Sequence, residues 1–170
     1  PVHCPFKAST AEECGEYALG FLEDWIFRRL VDPSEVALVI MEPVQGEGGY
    51  VVPPKNFVQG LRKITKEHGI LFAVDEVQTG FGRTGRWFAI EHFGVEPDLI
   101  ATAKAIAAGL PLGAIIGKAE VMSLPRGAHA NTFGGNPVAA AAALASLEVI
   151  EEEELLHHAE LLGEELKKFF

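Results

Sequence analysis

Residues 99–117 read LIATAKAIAAGLPLGAIIG. The stretch is apolar or small throughout, apart from one ammonium group, Lys104. It has the length of a membrane span. Gly109, Pro111 and Gly113 interrupt it, however, and Pro and Gly in series mark a turn. No other segment looks membranous. The stretch therefore divides into a short strand (DLIATA, 98–103), a turn region that opens with Lys104, and a second strand (LGAIIG, 112–117). The single amine then sits just past a strand end, where it is a candidate functional group.

The same pattern extends outward. EVALVIME (35–42) and ILFAVDE (70–76) are continuous apolar runs, the signature of strands buried on both faces. Helical spacing runs through residues 10–30 (Ala18, Phe21, Leu22, Trp25, Ile26, Leu30), with Ser9 or Thr10 as N-cap. PKNFVQGLRKITKEHG (54–69) predicts a helix that starts near Pro54 and stops at Gly69. After NTFGGNP a long helix is expected, capped by Asn136 with Pro137 at its first position. Strands alternating with helices imply an α/β fold, a mainly parallel sheet covered by helices. Residues 1–170 read as one partial domain, with both ends abrupt.

The chain has 170 residues, 48% of them hydrophobic, enough for a packed core. Its 14 basic and 24 acidic residues give a net charge of −10, which disfavours nucleic acid and anionic membranes as partners. Much of the acid lies in LEVIEEEELLHHAELLGEELKK (147–168), read as the solvated face of helices, with His157 and His158 exposed. The six histidines form no metal-ligand pattern. Cys4 and Cys14 form no CxxC pair and no disulfide framework, so a reduced, cytoplasmic setting is expected.

In open α/β sheets, ligands bind beyond the carboxyl ends of the strands. Here those ends carry Glu42, Asp75 with Glu76, and Lys104. Alone, each has an ordinary reading: a turn residue, a helix cap, or a snorkelling surface lysine. Together they place carboxylates and an amine along one edge. Pyridoxal 5′-phosphate needs this combination: a lysine for its Schiff base, a carboxylate at the pyridine nitrogen, and backbone N–H groups for its phosphate. The GGNP helix start could supply some of the last. Apolar surroundings would also favour the nucleophilic free amine.

EPVQGEGGYVVPP (42–54), LFAVDEVQTGFGRTGRWFAIEHFGVEPDLIATAKAIAAGLPLGA (71–114) and NTFGGNPVAAAAAL (131–144) carry a family resemblance. The chain resembles the class-III pyridoxal-phosphate-dependent aminotransferases, nearly continuously from about residue 36 to 150. The resemblance implies part of the large domain of a fold-type-I transferase, assembled as a homodimer with the active site shared across the interface. Lys104 then matches the Schiff-base lysine, and Asp75 the aspartate at the ring nitrogen. Gln78 matches the glutamine near the ring hydroxyl, and Val77 lies against a ring face. Thr132 matches the threonine that reaches the neighbouring subunit's phosphate. Glu42 and Glu47 match substrate-pocket glutamates. Arg83 and Arg86 flank the glycine turn of GFGRTGR and read as structural or interface residues, with substrate contact as the lesser alternative. The rest of the phosphate cup, the stacking aromatic and the substrate-carboxylate arginine are not found in the chain.

The expected activity is transfer of an amino group from an amino acid or ω-amino acid, of the 4-aminobutyrate or ornithine type, to a keto acid such as 2-oxoglutarate. A racemase or aminomutase of the same family is the alternative. A non-catalytic α/β binding module is the remote one; GEGG lacks the GK[ST] of a nucleotide loop.

Overall fold

A computed structural model describes residues 4–169. Helix α1 (Ala11–Gly20) is capped by Thr10, whose hydroxyl accepts the Glu13 amide at 3.1 Å. It continues as π-helical turns over Phe21–Phe27. The segment before the cap folds back so that Cys4 lies beside the first turns of α1. The two cysteines form a disulfide, with Cα atoms 5.9 Å apart, which corrects the unpaired reading. A separation of ten residues bridging a loop and a helical turn has no sequence signature, and the reduced setting inferred from it loses its support.

Four strands follow: β1 (Leu38–Met41), β2 (Leu71–Asp75), β3 (Leu99–Thr102) and β4 (Ala114–Gly117). They lie in the order β1-β2-β3-β4. β1, β2 and β3 are parallel, with Met41 opposite Val74 and Asp75 opposite Ala101. β4 is antiparallel to β3, because the turn at Gly109–Gly113 returns the chain directly. The expected α/β fold with a mainly parallel sheet is present.

Helix α2 (Lys55–Glu67) buries Val58, Leu61, Ile64 and Thr65. It packs, with α1 and the 3-10 turn Ala89–Phe93, on the sheet face that carries Phe72 and Val74. Both of those side chains are wholly buried, each contributing about 1.5–3 kcal/mol of transfer free energy. The opposite face differs from expectation. Leu38 is 40% exposed, Ile40 57% and Ile115 54%, so β1 is not buried on both sides. Among the described residues no helix layer covers that face, and alternation places Asp75 on it.

Helix α3 (Pro137–Glu152) starts as expected, with Asn136 Oδ1 accepting the Ala139 amide at 2.9 Å. It is shorter than the apolar and acidic pattern suggests. Glu154 adopts φ +51° and a new helix, α4 (Leu155–Leu166), begins. Successive glutamates at a helix C-terminus oppose the helix dipole and one another, which favours a break there.

The amino edge of the sheet is tied by Asp98, which accepts both Arg62 guanidinium nitrogens (2.6 and 2.9 Å), the Phe72 amide (2.9 Å) and Lys118 (3.1 Å). Burial pushes its carboxyl up, but these donors outweigh that and hold it far below the usual carboxylate range.

Candidate active site

The loops after β1, β2 and β3 meet at the carboxyl edge of the parallel strands, the edge the sequence singled out. They enclose a cleft of about 510 Å³, lined by residues of segments 44–50, 78–84 and 104–105. Lys104 and Gln78 line it. Asp75, Val77, Glu42, Glu47 and Thr132 do not.

Lys104 stands two residues past β3, at the start of a 3-10 turn (Lys104–Ala107). Its φ is +45°, a left-handed conformation that costs a non-glycine residue of order 1 kcal/mol. The turn is held by packing: Ile106 and Ala107 bury against Ala139 and Ala143 of α3. The apolar neighbours thus face α3 while Lys104, among the described residues, is exposed into the cleft. Lys104 Nζ has no ion pair or hydrogen bond among the described residues.

Asp75 ends β2, one strand over, half-buried. Its Oδ1 accepts the Val77 amide at 2.9 Å, and Oδ2 has no partner among the described residues. The neighbouring carboxylate is different in kind. Glu76 points to the packed face and is wholly buried. It accepts the Thr79 hydroxyl, the Ala89 amide (3.1 Å) and the Ile90 amide (2.8 Å). Glu76 therefore joins β2 to the Ala89–Phe93 turn.

Gln78 reaches back to the β1 loop, where its Nε2 lies 3.5 Å from the Tyr50 hydroxyl. A Cβ on Gly46 would fall 2.0 Å from Gln78 Oε1, so only glycine permits this approach. Glu42 accepts the Gly46 amide at 2.6 Å and closes the same loop. Glu47 is exposed on that loop, and Thr132 on the segment between β4 and α3. Arg83 also lines the cleft, beside Thr84, while Arg86 does not. Sequence reasoning missed Tyr50 and Thr84 as cleft residues and ranked Arg83 as a structural or interface residue first. The dense glycines of GEGG and GFGRTG were the available signal that these loops fold back.

The residues present fit pyridoxal 5′-phosphate. An unpaired amine faces the cleft, a carboxylate oxygen is free one strand away, and a capped helix start lies beside the lysine turn.

The class-III aminotransferase family model matches residues 2–169, and the chain belongs to that family. It is 51% identical over 164 residues to a leucine/methionine racemase of Thermococcus litoralis, covering 94% of this chain and 36% of that protein. It is 49% identical over 136 residues to a 4-aminobutyrate aminotransferase of Mycobacterium leprae, covering 79% of this chain and 30% of that one. The ornithine aminotransferase of Toxoplasma gondii, described with partial occupancy of PLP at its active site, superposes with a TM-score of 0.78 at 38% identity, covering 92% of this chain and 34% of that structure. The chain thus spans about a third of the length of the relatives it matches.

Proposed function

We propose that this chain is the lysine-bearing part of a pyridoxal-phosphate-dependent aminotransferase. The enzyme moves an amino group from an amino acid or ω-amino acid, of the 4-aminobutyrate or ornithine type, to a keto acid such as 2-oxoglutarate. The observation that carries the reading is Lys104: a lone, unpaired amine on a left-handed backbone position in the cleft, one strand from the half-free carboxylate of Asp75.

When bound, the cofactor supplies an electron-withdrawing ring that delocalises charge left on the substrate carbon. The chain's residues do the rest. Asp75 Oδ2 holds a proton on the ring nitrogen by charge. Lys104 Nζ would hold the cofactor and, once released by the substrate amine, would serve as the base that takes the proton from the substrate carbon and as the acid that gives it back. Gln78 would face the ring hydroxyl and Val77 would help hold the ring. Thr132 serves the phosphate of a partner subunit, which makes the working form a homodimer, and Glu42 and Glu47 border the substrate.

A second reading is favoured by the racemase of Thermococcus litoralis. A racemase would keep both residues and return the proton to the substrate carbon on the other face. Incubating the full-length enzyme with one enantiomer separates them. Amino transfer that requires a keto acid supports the aminotransferase; formation of the other enantiomer without one supports the racemase.

A further inference from the structure

The turn after β2, residues 76–80, carries Val77 and Gln78, two of the positions proposed above for the cofactor ring. It is closed from within. The Gly80 amide donates to the Glu76 carbonyl at 3.0 Å, and the Thr79 hydroxyl donates to the Glu76 carboxylate. Glu76 is wholly buried and Thr79 is 8% exposed. The other donors to this carboxylate, the Ala89 and Ile90 amides, belong to a separate turn. Among the described residues, the Thr79 hydroxyl is therefore the one side-chain bond that fastens the 76–80 turn to its buried carboxylate.

Gln78 itself is held loosely. Its one polar partner among the described residues is the Tyr50 hydroxyl, 3.5 Å away, at the outer limit of a hydrogen bond, and Tyr50 is exposed. The backbone on either side of Gln78 is held firmly. Before it, Asp75 Oδ1 accepts the Val77 amide at 2.9 Å. After it come Thr79 and Gly80. A Cβ on Gly80 would lie 2.9 Å from the Glu76 carbonyl oxygen and 3.4 Å from the Thr102 hydroxyl, so the turn closes too tightly for any side chain there. Thr79 lines the same cleft as Lys104 and Gln78, yet its hydroxyl is engaged by Glu76.

Resting on the pyridoxal-phosphate reading above, we infer that Thr79 is a positioning residue: its hydroxyl, held by Glu76, sets the backbone from which Gln78 reaches the cofactor, so that Thr79 acts on cofactor binding through Gln78. A hydrogen bond shielded from water is stronger than the same bond at the surface, and it holds its geometry accordingly. Valine has nearly the shape of threonine but no donor. At position 79 it would leave Glu76 joined to the Ala89–Phe93 turn and released from the 76–80 turn. Gln78 would then start from a backbone with more freedom, and ordering it on the cofactor would cost more.

The test uses the full-length enzyme, freed of cofactor and titrated with pyridoxal phosphate, and reads the dissociation constant in a double-mutant cycle of Thr79→Val and Gln78→Ala. Thr79→Val alone should raise the constant by roughly 3–10-fold, the net worth of one hydrogen bond. Thr79→Ser, which keeps the hydroxyl, should stay within about 1.5-fold of the parent. In the Gln78→Ala background, Thr79→Val should change the constant by no more than about 1.5-fold, because the residue it positions is gone. Thr79→Ala takes the place of the valine in the same cycle should the valine variant fail to fold. An undiminished loss in the Gln78→Ala background overturns the inference, since the hydroxyl would then serve the cofactor directly or the fold at large. An unchanged constant in Thr79→Val overturns it too. Because the cycle needs no turnover, an enzyme that shows the coupling but transfers no amino group would sink the aminotransferase reading and leave this one standing. Amino transfer without the coupling would do the reverse.

Discussion

Asp75 and Glu76 are adjacent carboxylates with opposite duties, and strand alternation is the reason. Asp75 keeps an oxygen free at the sheet edge, whereas Glu76 is buried in a shell made only of donors. An amide at Glu76 would turn an N–H group toward those donors. Glu76→Gln should therefore destabilise the fold by about 1–3 kcal/mol, read as a lower urea midpoint. Asp75→Asn should leave that midpoint nearly unchanged and remove most of the activity of the full-length enzyme, because an amide cannot hold the ring proton by charge. Equal unfolding midpoints for the two variants would contradict this division. The sequence made Asp75 and Lys104 legible because their types stand out at strand ends. It left the cleft position of Arg83 only a lesser alternative, because that placement depends on the left-handed φ of Phe81 and on α4 packing from some seventy residues away.

At the scale of elements, the strands were legible as apolar runs and three helix starts as caps or prolines: Thr10, Pro54 and Asn136. The direction of β4 and the disulfide were not, since they depend on how segments meet. The tie between α2, β3 and β4 makes its own prediction. Asp98 has a folded pKa well below its unfolded one, so its contribution is fully present above the unfolded value of about 3.9 and is lost as pH falls below it. The urea midpoint of the full-length protein should therefore fall between pH 5 and pH 3 in the parent. It should fall by less in Arg62→Met, which is already weakened by roughly 3–5 kcal/mol at neutral pH because a buried partner has been removed. An equally steep acid loss in both would show that the ion pair is not the cause.

For the whole molecule, the outstanding feature is the sheet face that carries Leu38, Ile40 and Ile115 uncovered, in a chain about a third as long as its relatives. Among the described residues that face is uncovered and the cleft stays open. Produced alone, the chain should self-associate, visible in sedimentation, and should not transfer amino groups, since positioning of substrate and cofactor accounts for many powers of ten in rate. An isolated chain that is monomeric and turns over an amino acid would contradict this. The central claim, that Lys104 is the amine that holds the cofactor, is tested most directly by borohydride reduction of the full-length enzyme loaded with pyridoxal phosphate, followed by peptide mapping. The account predicts a single pyridoxyl label, on Lys104. A label on Lys55 at the start of α2, or on Lys118, which is tied to Asp98 and Glu96 beyond β4, would contradict it.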